Sequence, residues 1–238
     1  MPAKPELRVD WASTAAVQYA CTYWHYSKSV PVPPLVKVGA WEDGKFIGVV
    51  VFSRGATPSL LSPFGLKQTE GCELTRIALT THASAVSRIV RLAMMFLKKQ
   101  TPGLRLIVSF ADPSEGHHGG IYQAGNWIYS GKSAPSTEYI SQDGKRWHAR
   151  MVKSKGWTVV HGIKRKTLTP EQCTKVEKPG KHRYLMPLDA EMKLKILPLS
   201  KPYPRRHASA SSEVAEHPSA AGGAAPTRTL HDSAARVT

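Results

Sequence analysis

The chain has 238 residues and a formal net charge of +16, from 33 Lys and Arg against 17 Asp and Glu. At 41% apolar it can bury a sizeable core, as one large domain or two small ones. The charge balance disfavours an acidic small molecule and points to nucleic acid or an anionic surface. Cys21, Cys72 and Cys173 are odd in number and far apart, which excludes a disulfide framework or a zinc ribbon. No apolar run reaches the ~18–20 residues of a membrane span, and Met1-Pro2-Ala3-Lys4 leads into no signal-peptide core. The expected compartment is a reducing cytoplasm, with no membrane partner.

Leu7–Asp10 reads as a short first strand, and Trp11–Tyr26 as a helix with Asp10 or Ser13 as N-cap and an apolar stripe of Val17, Ala20, Cys21 and Trp24. His25 and Tyr26 then stand at the helix C-terminus, before the proline-rich Val30–Pro34. Leu35–Trp41 and Phe46–Ser53 are two apolar strands around Glu42-Asp43-Gly44-Lys45, a hairpin because Asp-Gly favours positive φ. Arg54–Gln68, rich in Gly, Pro and Ser, reads as a surface loop with Phe64 and Lys67 available to DNA. Cys72–Leu79 is a strand on which Glu73 and Arg76, three apart, point to opposite faces.

The polar Thr80–Ser84 leads to apolar residues at Val86, Ile89, Val90, Ala93, Met94 and Leu97, a helical face ended by Thr101-Pro102-Gly103. Leu104–Phe110 is a near-continuous apolar run, as in a strand buried on both faces. Asp112 follows it, where the strand ends of open α/β sheets face a ligand crevice. The imidazole-rich His117-His118-Gly119-Gly120 leads to a short helix near Gly120–Ala124 and a strand from Trp127. Thr137–Ile140 and Arg146–Met151 suggest a second hairpin, with Trp157–Ile163 and Tyr184–Leu188 as closing strands. The pattern dissolves after Leu188, so the expected division is a folded domain over 1–188 and a basic, then Ala/Ser-rich, disordered tail over 189–238. The fold class is α/β (α+β).

The order strand, polar loop, helix, buried strand, short helix, strand resembles the second half of a GCN5-related N-acyltransferase (GNAT) domain. Ile121-Tyr122-Gln123-Ala124-Gly125-Asn126-Trp127 is similar to its Y-x-x-x-G/N-aromatic element. The wider string, VDWAS, WEDGKFIGVVVFSRGA, GLKQTEGCELTRIAL, GLRLIVSFADP and GHHGGIYQAGNWIY, resembles the Mom family over about residues 8–185. These are phage proteins that place a carbamoylmethyl group on the exocyclic nitrogen of adenine, protecting phage DNA from host restriction endonucleases.

The resemblance implies a mixed, mostly antiparallel sheet flanked by helices. It assigns activity to His25, Tyr26, Asp112 and Tyr122, with Tyr122 where acyltransferases keep the general acid; Arg76, on the strand beside the expected site, is a further catalytic candidate. It implies an iron site at His25, Tyr26, Asp112 and Tyr122. An acyl donor such as acetyl-CoA would meet Leu79, Thr80, Ser87, Arg88 and Asn126. Thr80–Ser87 stands at the pyrophosphate loop yet holds none of the glycines that usually allow close backbone approach to phosphate. A homodimer and a host factor supplying the donor are compatible with the resemblance.

From Lys145 to Arg206 the chain carries 17 Lys and Arg against four Asp and Glu, a net of 17 − 4 = +13. Basic residues among the aromatics Trp147, Trp157 and Tyr184 suit phosphate contact with base stacking. The candidate contacts to double-stranded DNA are Lys67, Lys145, Arg146, Trp147, Arg150, Lys153, Lys155, Lys164, Arg165 and Lys166, about residues 145–188 forming the basic part. Tyr26, Trp127 or Tyr129 would hold a flipped adenine. Two other readings stand beside the DNA-modifying enzyme: an N-acyltransferase using acetyl-CoA on a protein or small-molecule amine, and a non-catalytic DNA-binding scaffold.

Overall fold

Alternating burial on both faces is what a sheet sandwiched by helices demands, and residues 49–52 show it. Val50 and Phe52 pack with Ile89, Ala93 and Leu97, while Val49 and Val51 pack with Val17, Ala20 and Cys21. The computed structural model describes residues 5–55, 57–160 and 162–205. In chain order the elements are β1 (Leu7–Trp11), α1 (Thr14–Trp24), β2 (Leu35–Glu42), β3 (Lys45–Ser53), β4 (Gly71–Leu79), α2 (Val86–Gln100), β5 (Leu106–Ala111) and α3 (Gly120–Gln123). There follow β6 (Ile128–Lys132), β7 (Ser136–Ser141), β8 (Arg146–His148), β9 (Trp157–Val160), β10 (Ile163–Lys166), β11 (Cys173–Lys178), β12 (His182–Pro187) and α4 (Ala190–Ile196).

Seven strands form the central sheet in the order β1-β2-β3-β4-β5-β12-β6. Only the β4–β5 pair is parallel. This is the mixed, mostly antiparallel α/β sheet flanked by helices that the resemblance implies. β12 returns after a long excursion and inserts between β5 and β6. The excursion, residues 133–181, carries a three-stranded sheet, β11-β7-β8, and the separate β9–β10 ribbon.

Two features of β4 set up the site. Its pairing with β5 runs only from Gly71 opposite Leu106 to Leu74 opposite Ser109, although both strands continue, so their carboxyl ends part. Opposite β3, Val51 pairs with Arg76 and Phe52 with Leu74, which leaves Thr75 as an extra residue, a β-bulge. The bulge shifts the alternation by one and returns Glu73 and Arg76 to the same face. The expectation that they point to opposite faces fails because it assumed an unbroken strand.

Other local expectations need correction. Trp11 belongs to β1; the helix begins after Ser13, whose Oγ accepts from Ala16 N at 3.1 Å, and it ends at Trp24. Arg54–Gln68 is anchored as well as exposed, since Leu61, Phe64 and Leu66 are buried against Leu106, Val108, Leu185, Met192 and Ile196. Phe64 is therefore core and cannot meet DNA. Trp157–Ile163 is no single strand but two, β9 and β10, with Gly162 at φ +77° in the turn.

The boundary at 188 also moves. Asp189 caps α4 by accepting from Met192 N at 2.7 Å, and Met192 and Ile196 are fully buried. Two inward residues on a helix this short leave too little periodicity to read. Beyond it Lys201 N donates to Tyr129 O at 2.8 Å and Tyr203 hydroxyl to Trp127 O at 2.7 Å, so 189–205 belong to the folded unit. The remainder of the expected tail, 206–238, lies outside the described residues.

Candidate functional site

The parting of β4 and β5 leaves strand polar groups without strand partners, and side chains take their place. Ser109 Oγ lies 2.8 Å from Leu74 O and 2.7 Å from the Tyr122 hydroxyl, all buried. A serine hydroxyl has one proton to give. If Ser109 gives it to Leu74, Tyr122 donates to Ser109. If Ser109 donates to Tyr122, the phenol proton is released for a third group in the gap. Burial is the main reason that the Tyr122 hydroxyl is pushed up to about 12, against the Ser109 hydrogen bond and with help from Tyr26, Glu73 and Tyr184. Tyr122 is thus a protonated donor at neutral pH.

Its ring is held by neighbours, with Trp127 at 5.1 Å and Tyr184 at 5.0 Å between centroids. Gly119 opens α3 at φ +85°, and a Cβ there would be driven into the Tyr184 ring. Position 119 therefore requires glycine. Trp127, Tyr129 and Tyr184 are all buried, so none offers a face to a base. Of the three aromatics expected to hold an adenine, Tyr26 alone, 49% exposed, is accessible.

Tyr26 lies just past α1, with its ring 4.2 Å from His25 and 5.0 Å edge-on from His117. Burial raises its hydroxyl, Lys181 and Arg76 oppose this, and Asp112 and Glu115 add to it, which places all four charges around it. Arg76 ties the loop after α1 to β4 by donating to Ser29 O at 3.3 Å. Asp112, at the end of β5 and 6% exposed, accepts from Lys181 Nζ at 3.0 Å and Ser114 N at 3.0 Å. Burial alone would raise this carboxyl, but the Lys181 ammonium and the Ser114 hydrogen bond hold it below the usual range. Lys181 is fixed in turn: its N donates to Ser133 Oγ and its O accepts from Ser133 N, with Gly180 pressed against the Ser133 carbonyl.

His25, Tyr26, Arg76, Asp112 and Tyr122 therefore come together, but not as a metal centre. Ser27 N donates to His25 Nδ1 at 3.1 Å, so in the neutral ring the proton sits on Nε2, the nitrogen that would have to bind a metal. Burial first, then Arg76, His117 and Lys28, bring His25 down to about 4. Asp112 is already engaged by an ammonium, and Tyr122 holds its proton. Among the described residues no group of three or more His, Cys, Asp or Glu could hold a metal ion. The iron implied by the resemblance does not fit this donor set.

A groove of about 530 Å³ separates α2 from α3 and the residues after it. Ser87, Arg88 and Asn126 line it, joined by Arg91, over an apolar floor that includes Met94, Ile121 and Met186. Leu79 and Thr80 do not line it, and the Thr80 amide is spent on Ile47 O at 2.9 Å. The loop amides that would meet a pyrophosphate already hold an anion. Ala83 N and Ser84 N each donate at 2.8 Å to the Glu42 carboxylate, and these bonds hold Glu42 below its ordinary range. The Glu42 carboxylate thus sits against these amides where a phosphate would otherwise accept from them.

The expected DNA contacts divide. Lys145 pairs with Asp143 at 2.8 Å and Arg146 with Glu138 at 3.8 Å. Trp147 is half-buried and donates from Nε1 to Ser141 Oγ at 2.8 Å, closing the β7–β8 turn rather than offering a stacking face. Lys67, Arg150, Lys153, Lys155, Lys164, Arg165 and Lys166 are exposed. Lys181, Ser109 and Glu42 were not among the residues that the sequence singles out. Ser109 left one signal, a lone hydroxyl inside an apolar strand; Lys181 and Glu42 act across 69 and 41 residues of chain and left none.

The profile of the Mom protein family matches residues 6–205. No curated protein matches in sequence. Similar solved structures include an acetyltransferase of Bacillus subtilis in complex with CoA, at 15% identity over 78% of this chain and 100% of that one, TM-score 0.43. FeeM, an N-acyl amino acid synthase from uncultured soil microbes, gives 10% identity over 80% and 94%, TM-score 0.44. An IAA acetyltransferase from Bacillus cereus gives 14% over 77% and 100%, TM-score 0.39.

Proposed function

The chain belongs to the Mom protein family, and from that premise we propose that it is a DNA-modifying transferase acting on adenine N6. In this reading an adenine leaves the duplex stack, is held against Tyr26, and receives a carbamoylmethyl group at N6, shielding phage DNA from host restriction in the bacterial cytoplasm. The observation that carries it is the protonated Tyr122 hydroxyl at the parting of β4 and β5, beside Asp112 and the accessible Tyr26.

Asp112, anionic and clamped by Lys181, accepts a hydrogen bond from the N6 amino group and orients it; its low proton affinity suits it to positioning rather than proton abstraction. A new bond forms at N6, which sheds one proton to solvent, while Tyr122 passes its proton to the leaving group of the donor. Ser109, by turning its single proton toward the phenol oxygen, stabilises the tyrosinate left behind. The groove between α2 and α3, with two guanidiniums over an apolar floor, suits a donor that carries a nucleotide, as acetyl-CoA does. That groove also favours the second reading, an N-acyltransferase acting on a protein or small-molecule amine.

Mass spectrometry of nucleosides from cells expressing the protein separates the readings. The expected result is a deoxyadenosine adduct with the wild type and none with Asp112→Ala, while duplex binding persists. Unmodified DNA with the wild type, alongside acetyl-CoA turnover on amines, would overturn the DNA-modifying reading.

A further inference from the structure

Among the described residues the β9–β10 ribbon has no third strand on either edge. Its register sets Trp157 opposite Lys166 and Val159 opposite Lys164 on one face, with Thr158 opposite Arg165 and Val160 opposite Ile163 on the other. Apolar side chains that a folding core would cover stay open here: Val159 is 54% exposed and Ile163 60%. From Lys145 to Thr169 the sequence holds eight Lys or Arg and no Asp or Glu. Lys153, Lys155, Lys164, Arg165 and Lys166 form no ion pair among the described residues. Lys164 lies 4.4 Å over the Trp157 ring and Lys155 5.9 Å from it, which stiffens one face into a cationic plate.

We propose that this ribbon is the element that engages duplex DNA, lying in the major groove with its lysines toward the phosphates and its apolar end toward the base edges. The proposal rests on the DNA-modifying reading above. A two-stranded ribbon fits a major groove about 12 Å wide, and unpaired cations on both faces match the two phosphate walls that flank it. Val160 and Ile163, either side of the turn, present methyl groups of the kind that contact thymine C5-methyls. The uncovered apolar residues and the unpaired cations then share one explanation.

The test is fluorescence anisotropy of the full chain with a duplex of mixed sequence about 30 base pairs long, across a salt series. The triple variant Lys155→Ala/Lys164→Ala/Lys166→Ala is expected to lower the slope of log affinity against log salt by roughly 2–3 and to bind at least about tenfold more weakly near 0.1 M salt. Lys45→Ala/Lys99→Ala/Lys193→Ala, which removes the same charge from other elements, should keep a slope near that of the wild type. Val160→Ser/Ile163→Ser should keep the slope and lose about three- to tenfold in affinity. A ribbon triple with unchanged melting temperature and wild-type slope would overturn the proposal while leaving DNA binding intact, as would preference for single-stranded RNA over duplex. A wild type that binds no duplex at any salt would instead remove the DNA-modifying reading on which the proposal stands.

Discussion

The parting of β4 and β5 and the excursion at residues 133–181 are built on opposite principles. At the parting, Ser109, Tyr122 and Asp112 are buried and each has a partner within 3.0 Å. In the excursion Val152 is the one buried hydrophobic among the described residues, and the charges along the ribbon stand apart from any acid. The first region holds a few groups in fixed relation, as chemistry requires; the second offers charge to whatever brings the opposite sign. Substitutions at the parting should therefore alter reaction rate and stability, whereas those in the β9–β10 ribbon should alter affinity with little effect on stability.

The largest effect is expected at the phenol. Tyr122→Phe removes the proton donor and leaves Ser109 free to donate to Leu74 O, so the fold persists while turnover falls by about 10²–10⁴. Adduct yield per bound protein measures this, and a yield within a factor of three of wild type would remove Tyr122 from the chemistry. Next comes the packing beneath the sheet. Met192→Ala should cost about 2–5 kcal/mol in urea unfolding, because its site is closed on all sides. A loss under about 0.5 kcal/mol would return α4 to the status of an appendage.

A smaller, pH-dependent effect attaches to His25. Its folded value, about 4, lies below the ordinary 6.5, so between these the unfolded chain binds more protons than the folded one. Stability should thus be highest above pH 6.5 and fall, by a few kcal/mol at most, as pH drops toward 4. His25→Asn, which keeps an acceptor for Ser27 N, should flatten that part of the pH–stability curve; an unchanged curve would assign the loss elsewhere. Lys181→Gln removes the cation that opposes the burial of Asp112 and leaves only the Ser114 hydrogen bond to do so, so the acidic limb of the activity profile should move to higher pH with about a tenfold loss of activity. An unmoved limb would make Lys181 a surface residue only. The smallest change is expected from Trp157→Ala in the ribbon, which should shift stability by under about 0.5 kcal/mol.

Much of the parting was legible because its carriers sit at element ends that sequence marks clearly. Asp112 follows an apolar run, Tyr122 stands in a glycine-flanked short helix, and His25-Tyr26 ends an amphipathic helix. The parts that escaped depend on geometry without a local signature. The extra residue Thr75 turns Arg76 onto the face of Glu73, and nothing in TRIAL distinguishes a bulged strand from a regular one. Lys181 reaches Asp112 only because β12 inserts beside β5, a long-range pairing that periodicity cannot reveal. Trp127 and Tyr129 suit a base in sequence but lie in the core, because aromatic residues look alike in a sequence whether they face solvent or core. The ribbon looks like one strand in sequence because Val159, Val160 and Ile163 are apolar across the turn.

The insertion of β12 between β5 and β6 has a consequence for how the chain assembles. β5 and β6 never pair with each other, so until residues 182–187 have left the ribosome the nascent sheet ends at β5 with an open edge. A ribosome stalled within the excursion would therefore display a buried-type strand, Leu106–Ala111, to other chains, an invitation to edge-to-edge association. The last strand made among the described residues is the one that joins β6 to the rest of the sheet, and the aromatic support of Tyr122 by Tyr184 arrives only with it.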